Sequence, residues 1–508
     1  MWFDRGKHCL TGGGEMITAI TVLVALGILG WGYYRAKPFG KLGILAWLQS
    51  VVLMAPWLFF FGLTTLGIYL NLVGILLLFV GSTGLYIVLG RRLRAAVQEE
   101  SQRASAVAKV EGSLDFRAEP LSDTSQPSEL DPNEKPEGLP IPPDDLKAIQ
   151  GIFGIDTFFA TETIPYQEGA IFKGNLRGAV ESTFERLSTS LKERLNDRYR
   201  LFLVEGQESR PVVVVLPSTN DPKPATLVQK LLAGVLLIAT IATCLETAGF
   251  LLEFDFYNSP ERFREVLPIA LGILTVLGVH ELGHWLLARR YKVRLSFPYF
   301  IPTWQIGSFG AITRFESLLP NRSALFDIAF AGPAAGGVVS LAMLIAGLLL
   351  SHEGSLFKLP TQFFEGSIFV GTVARVILGT ALQQPSVALH PLTILGWVGL
   401  ILTAINLMPA GQLDGGRIVQ AIYGRKTVGR TTAATIVVLA IASLVNPLAL
   451  YWAIVILVLQ RNLERPSLNE LSEPDDTRAA LCLLALFLMV TILLPLTPSL
   501  AGRLGIGG

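Results

Sequence analysis

Apolar residues along this chain come in long unbroken runs, not in alternating or one-sided stripes. A helix needs roughly 20 mostly apolar residues to cross a hydrocarbon core about 30 Å thick. The first such run extends from Met16 to Tyr34. Leu42–Gly90 is too long for one helix and predicts a hairpin, turning near Thr64 and Thr65 and closed by Arg91, Arg92 and Arg94. Further spans are predicted over 230–252, 266–288, 324–350, 393–410 and 478–498. The run 431–460 reads either as one long helix kinked at Pro447 or as a tight hairpin of two short helices. The stretch 367–382, with Arg375 inside it, reads as an interfacial helix. The pattern predicts an all-α polytopic membrane protein of eight to ten transmembrane helices.

Composition sharpens that reading. The 508 residues are 51% hydrophobic and only 16% charged, with mean hydropathy +0.51. A soluble protein carries about 25% charged residues, so a cytosolic enzyme, a disordered scaffold and a secreted disulfide protein are excluded. The three cysteines, Cys9, Cys244 and Cys482, are far apart and form no CxxC. A net charge of +1 gives no nucleic-acid signature. The first fifteen residues lack the Arg- and Ser-rich amphipathic character of a transit peptide. Lys and Arg in short loops set orientation. Arg35, Lys37 and Lys41 mark one side, and counting crossings returns Arg91–Arg94, Arg289–Arg294 and Arg417–Arg430 to it. That side is expected to be cytoplasmic, with the N-terminus outside and residues 91–229 forming a cytoplasmic insert.

The insert has two parts. Residues 95–145 are rich in Ser, Pro, Glu and Asp, a composition that cannot bury enough surface to offset chain entropy. They predict a disordered acidic linker between the helices of 1–94 and the rest. Residues 146–220 predict a small α/β domain. Val180, Phe184, Leu187, Leu191 and Leu195 repeat at helical spacing. Tyr199–Val204 and Val212–Leu216 read as strands with Gly206 near their turn, and Ile155–Thr163 and Ala170–Phe172 as weaker ones. Its expected role is regulation or substrate docking.

One constellation carries chemistry. His280-Glu281-Leu282-Gly283-His284 ends the helix 266–288. Histidines four apart share one helical face, so two imidazoles can grip one tetrahedral metal, with the intervening glutamate in reach of a water on it. The pattern fits zinc hydrolysis, in which the metal makes the water acidic and the carboxylate takes its proton. Only five histidines occur in the chain, and burying this trio in lipid is costly without a purpose. A catalytic zinc wants a third protein ligand. His352 and His390 are candidates, but both are expected on the outer side. Asp414, after the helix 393–410, is expected level with the motif, amid the helix breakers Pro409, Gly411, Gly415 and Gly416. Its rival reading is an N-cap.

HELGH in one span and Asn406-x-x-Pro409-x-x-x-Leu413-Asp414-Gly415 in a later one together resemble the site-2 protease family of intramembrane metalloproteases. The resemblance implies His280, His284 and Asp414 as ligands of one Zn2+ per chain, Glu281 as general base, and Asn406 near the metal. Gly174-Asn175-Leu176-Arg177 and Gly411–Gly416 further resemble the ethylene-dependent gravitropism-deficient and yellow-green branch of plastids and cyanobacteria. The implied function is zinc-dependent endoproteolysis within transmembrane segments of membrane-protein substrates, the catalytic core spanning 224–500. A catalytically silent homologue acting as a membrane chaperone or adaptor is the alternative. The implied location is a cyanobacterial plasma or thylakoid membrane with the active site near its cytoplasmic face; oligomerisation stays open.

Transmembrane peptide bonds are shielded by their own hydrogen bonds, so hydrolysis needs an extended substrate. Val293–Glu316 is broken by Pro298, Pro302, Gly307 and Gly310, and Leu295–Phe297 and Phe309–Thr313 read as strand pieces. A sheet edge there recruits extended peptide through main-chain hydrogen bonds. This membrane-associated β segment makes Gly307, Phe309, Gly310 and Ala311 the expected substrate-binding residues. The small residues of Phe330–Gly337 predict a tight seat for the catalytic helix. Glu246, an intramembrane acid, is either functional or bonded to a neighbouring helix.

Overall fold

The computed structural model describes residues 27 and 29–65, isolated positions between 82 and 93, and 141–506 except 167, 207–209, 304–305, 445 and 458–462. It divides at residues 133 and 134 into two units. In the first, helix α1 (Gly40–Thr65) is the outgoing limb of the expected hairpin. Ser82 on the return side donates to the carbonyl of Val52. Much of Met16–Tyr34, most of the return limb and the linker up to residue 140 lie outside the described residues.

The second unit opens with α2 (Pro143–Gln150), β1 (Phe158–Tyr166), β2 (Gly169–Leu176), α3 (Val180–Leu195), β3 (Tyr199–Glu205) and β4 (Pro211–Pro217). The strands form one antiparallel sheet in the order β1-β2-β4-β3. Leu187, Leu191 and Leu195 of α3 meet Phe158, Phe172, Leu203, Val213 and Val215 from alternate strand positions in one buried core, as a pleat with a single covered face requires. This folded part starts earlier than the sequence boundary. Ile141 is buried, and Asp145 is held by two bonds from Arg198 and one from Tyr199. Acidic composition masked an aspartate whose partners lie over fifty residues away. The Gly174–Arg177 segment ends β2.

Then follow α4 (Leu227–Leu251), α5 (Phe263–Arg290), β5 (Tyr299–Thr303), β6 (Gly307–Ile312), α6 (Arg322–Leu350), β7 (Phe357–Pro360), α7 (Ile368–Leu378), β8 (Ser386–Leu389), α8 (Pro391–Asn406), α9 (Asp414–Ala442), α10 (Pro447–Val455), α11 (Asp476–Leu493) and α12 (Pro498–Leu504). Among the described residues four helices are long and apolar enough to cross a membrane: α4, α5 with the turn before it, α6 and α11. Two of the predicted spans take another form among the described residues. Apolar α8 has only 16 residues, about 24 Å at 1.5 Å each, and is enclosed by α6, α5 and α11. The run 431–460 straddles two elements, since α9 begins at Asp414 and ends at Ala442 and α10 restarts at Pro447. The stretch 367–382 is α7 followed by a 3-10 turn.

At one end of the bundle Arg478 of α11 forks onto Asp327 of α6 with two 2.7 Å bonds, and Tyr291 after α5 donates to the same carboxylate. An extended strap, residues 463–470, then ties the small domain down. Leu203 of β3 donates to Leu468 O, Glu470 donates back to Leu203 O, and Leu468 and Asn469 donate to Leu319 and Pro320 O before α6.

Candidate metal centre

Helix α5 carries His280 and His284 on its buried face, both less than a tenth exposed. Helix α6 seats them through missing side chains. A Cβ on Gly283 would lie 2.5 Å from Ala331 O, one on Gly336 3.2 Å from His280 Cβ, and one on Gly332 2.2 Å from His284 Nε2. The segment 330–337 is therefore the tight seat that its composition predicts. His284 Nδ1 lies 2.7 Å from the carbonyl of Ile328. A carbonyl has no proton to give, so Nδ1–H is the donor and a neutral ring keeps its Nε2 lone pair for other work.

The third group arrives from the break between α8 and α9. The chain leaves α8 at Asn406, passes Pro409 and Gly411 (φ 52°), and re-enters a helix at Asp414. Gly411 N donates to Thr432 Oγ1 at 2.8 Å, which fixes the loop against the helix that follows it. Leu413 takes the N-cap position and Asp414 the first helical one, so the N-cap reading of Asp414 does not hold. Its Oδ2 lies 3.1 Å from His280 Nε2 and 3.3 Å from His284 Nε2, and the two Nε2 atoms are 3.1 Å apart. Ligands about 2.0–2.1 Å from a tetrahedral zinc are separated by an edge of roughly 3.3 Å. The triangle of donors fits that edge, and its two nitrogens and one oxygen suit the ion.

Glu281 lies on the same turn, its carboxylate within 4.8 Å of both imidazoles. Thr313, just past β6, donates to Glu281 Oε2 at 2.8 Å. A cavity of about 20 Å3, room for one water, is lined by Glu281, His284, Ala311, Thr313, Asn406 and Asp414, among others. The other two described histidines are elsewhere. His390 caps α8 by accepting from Leu392 N, a full helix length from Asn406, and His352 Nδ1 bonds Glu353 O in an exposed turn. Glu246 accepts from Tyr257 N, stapling the loop after α4.

Comparison with known proteins places this geometry. Residues 268–446, which include HELGH and Asp414, match peptidase family M50, and residues 147–223 match the EGY3 middle domain. The chain is 38% identical over 406 residues to a protein of Arabidopsis thaliana named probable zinc metalloprotease EGY1, chloroplastic, covering 72% of this chain and 74% of that one. It is 37% identical to Arabidopsis EGY2 over 73% of this chain and 67% of the relative, and 32% identical to rice EGY3 over 68% and 64%. The chain belongs to the EGY branch of peptidase family M50, the site-2 protease family. No solved structure matches it.

In this M50 peptidase the strands β5 and β6 form a two-stranded antiparallel hairpin, beginning a few residues later than Leu295 because 295 makes only an isolated bridge to Phe315. The four hairpin residues singled out in sequence separate. Ala311 lines the cavity. Gly310 (φ 98°) lies against Asn406, where a Cβ would be 2.9 Å from Nδ2. Gly307 packs on Cys244 and its carbonyl accepts from Thr243. The Phe309 ring is buried against Tyr451 and Trp452, with centroids 4.9 Å away in each case. Three further side chains escaped the sequence reading. Arg417, one turn past Asp414, donates to Thr313 O at 2.7 Å and pairs with Glu464 of the strap at 3.1 Å. The spacing from Asp414 was a signal for Arg417; nothing local marks Thr313 or Glu464.

Proposed function

We propose that this M50 peptidase is a zinc-dependent intramembrane endopeptidase that hydrolyses peptide bonds inside the transmembrane segments of membrane proteins. The reading is carried by one observation: two imidazole nitrogens and a carboxylate oxygen meet within 3.1–3.3 Å beside the Glu281 carboxylate, and the helix that bears the imidazoles and Glu281 is long and apolar enough to cross a bilayer. His280, His284 and Asp414 hold the zinc. The bound ion supplies Lewis acidity, which makes water nucleophilic near neutral pH.

The rest of the reaction belongs to the chain's own groups. Thr313 occupies Oε2 of Glu281, so Oε1 is left to take the proton from the water and return it to the departing amide nitrogen. The cavity already has room for that water. Asn406, which lines the same cavity, offers an amide N–H to the scissile carbonyl. Among the described residues no strand other than β5 pairs with β6. An unwound substrate segment adds beside the half-buried Ala311–Ile312 end of β6 and is thereby led to Glu281. The active site then faces the side bearing the Lys and Arg clusters, the cytoplasmic side of a cyanobacterial plasma or thylakoid membrane.

The test uses the full chain in proteoliposomes with membrane-protein substrates taken from Glu281→Gln cells, where uncut precursors accumulate. Glu281→Gln is expected to keep one zinc per chain and lose cleavage. A silent homologue acting as chaperone or adaptor predicts no difference between the two proteins, and that result defeats the proposal.

A further inference from the structure

Burying an arginine and a glutamate together is costly, and such a pair is only weak grounds for stability. Arg417 and Glu464 are both under a tenth exposed, and they bond each other and nearby backbone. Arg417 Nε reaches Glu464 Oε2 at 3.1 Å, while Nη2 bonds Thr313 O at 2.7 Å. Its guanidinium lies 4.8 Å over the ring of Phe315, two residues further on. Glu464 is itself fixed. Its N–H donates to Gln420 Oε1, and its carbonyl accepts from Gln420 Nε2 and from Arg425. The residue held at the end of this chain of contacts is Thr313, whose hydroxyl donates to Glu281 at 2.8 Å.

We infer that Thr313, Arg417 and Glu464 are positioning residues for proteolysis: the buried ion pair clamps the backbone at the end of β6 so that the Thr313 hydroxyl holds Glu281 toward the cavity. The inference rests on the proposed role of Glu281. A glutamate side chain has three rotatable bonds, and a general base must stand within hydrogen-bond reach of its proton. One bond to Oε2 removes most of that freedom and directs Oε1 toward the cavity. The Thr313 carbonyl falls in a gap of the ladder: β6 ends at Ile312, and pairing resumes only around the Leu295–Phe315 bridge, where Ser296 N donates to Arg314 O and Glu316 N to Arg294 O. Arg417 supplies the missing donor. Its position one turn after Asp414 makes the same helix end present the carboxylate to the histidines and the guanidinium to the strand.

The test compares Thr313→Val, Thr313→Ser and Arg417→Met in the full chain in proteoliposomes, with every rate divided by bound zinc. Thr313→Val and Arg417→Met are expected to lower kcat about 10- to 100-fold, the usual cost of losing an outer partner in a zinc site, with KM changed less than twofold. Thr313→Ser keeps the donor and is expected to restore kcat to within about threefold. The double variant should fall no further than the worse single one, since both act on one carboxylate. A second readout needs no turnover. The Glu281 carboxylate stretch, isolated by infrared difference against Glu281→Gln, should shift in Thr313→Val and return in Thr313→Ser. The inference is overturned if Thr313→Val matches wild type, if Thr313→Ser is as impaired as Thr313→Val, or if the loss lies in KM alone. If Glu281→Gln still cleaves, the proposed function fails first; if it is dead while Thr313→Val is unimpaired, only this inference fails.

Discussion

Replacing Gly332 by alanine sets one methyl group against an imidazole that faces the metal centre. A Cβ at this position lies 2.2 Å from Nε2 of His284 and 2.6 Å from Cδ2 and Cε1. Carbon atoms in contact prefer about 3.5–4.0 Å, so ring or helix must retreat by roughly 1.3 Å. The ring cannot swing freely, because its Nδ1 is bonded to Ile328 O one turn earlier on the same helix. Lifting α6 as a block separates it from Gly283, which it approaches almost as closely. Metal sites accept ligand displacements of about 0.2 Å, several times less than the methyl demands. Gly332→Ala is therefore expected to weaken zinc binding by more than about 100-fold, beyond the usual outer-partner loss. Neighbouring glycines grade the effect. At Gly336 the nearest atoms stand at 3.2 and 3.3 Å on His280, so alanine needs a few tenths of an ångström and should cost under about tenfold. At Gly337 the nearest atom is 3.5 Å away on Thr403, and alanine should bind zinc fully. Zinc per chain, measured by mass spectrometry after dialysis against a competing chelator, reads the series, and the thermal midpoint checks folding. A folded Gly332→Ala protein holding zinc as tightly as Gly337→Ala would refute the reasoning.

Two other expectations follow from the same contacts. Asp414→Asn removes a donor from the triangle and should weaken zinc at least as much as outer-partner changes do, about 10- to 100-fold; His390→Ala should leave zinc untouched and cost about 1 kcal/mol as a lost cap, so metal loss in the second protein but not the first would reverse the ligand assignment. In the small domain, burial and the bond to Asp145 push the Tyr199 hydroxyl up to about 12. The folded state then keeps a proton the unfolded state has lost, so this contribution is whole below pH 10 and disappears between pH 10 and about 12; the unfolding midpoint of the full chain should fall across that window, and Tyr199→Phe should flatten the fall.

How much could be read beforehand depends on how many elements a feature requires. HELGH needs one helix, since spacing alone puts both imidazoles on one face, and α5 presents them so. The α3 stripe Leu187, Leu191 and Leu195 is legible for the same reason. Asp414 required the resemblance, because a lone aspartate after a broken helix equally suits a cap. The predicted span 393–410 is where apolarity and length part: α8 is as apolar as the spanning helices but has only 16 residues and is enclosed by α6, α5 and α11. Thr313, Arg417 and Glu464 come from three segments whose register only the packed structure supplies. Asp145 was lost to its neighbours, an acidic stretch that hides one acid with a buried partner.

Several buried polar residues in the helices share one physical cause. A hairpin, a seven-residue break and an extended strap all run beside spanning helices, and their backbone groups are costly to bury unbonded. Irregular chain survives there only where protein satisfies it. Thr243 of α4 donates to Gly307 O in the hairpin, Thr432 of α9 accepts from Gly411 N in the break, and Arg417 and Gln420 serve Thr313 and Glu464. These side chains are conspicuous against their hydropathy because each completes a piece of backbone that a helix would have completed by itself. The two irregular pieces that reach the metal centre, the hairpin end and the break, are those that let a strand edge and a carboxylate stand beside HELGH. A wholly helical core of the same composition would bury its histidines with no acid to meet them and no strand end beside Glu281.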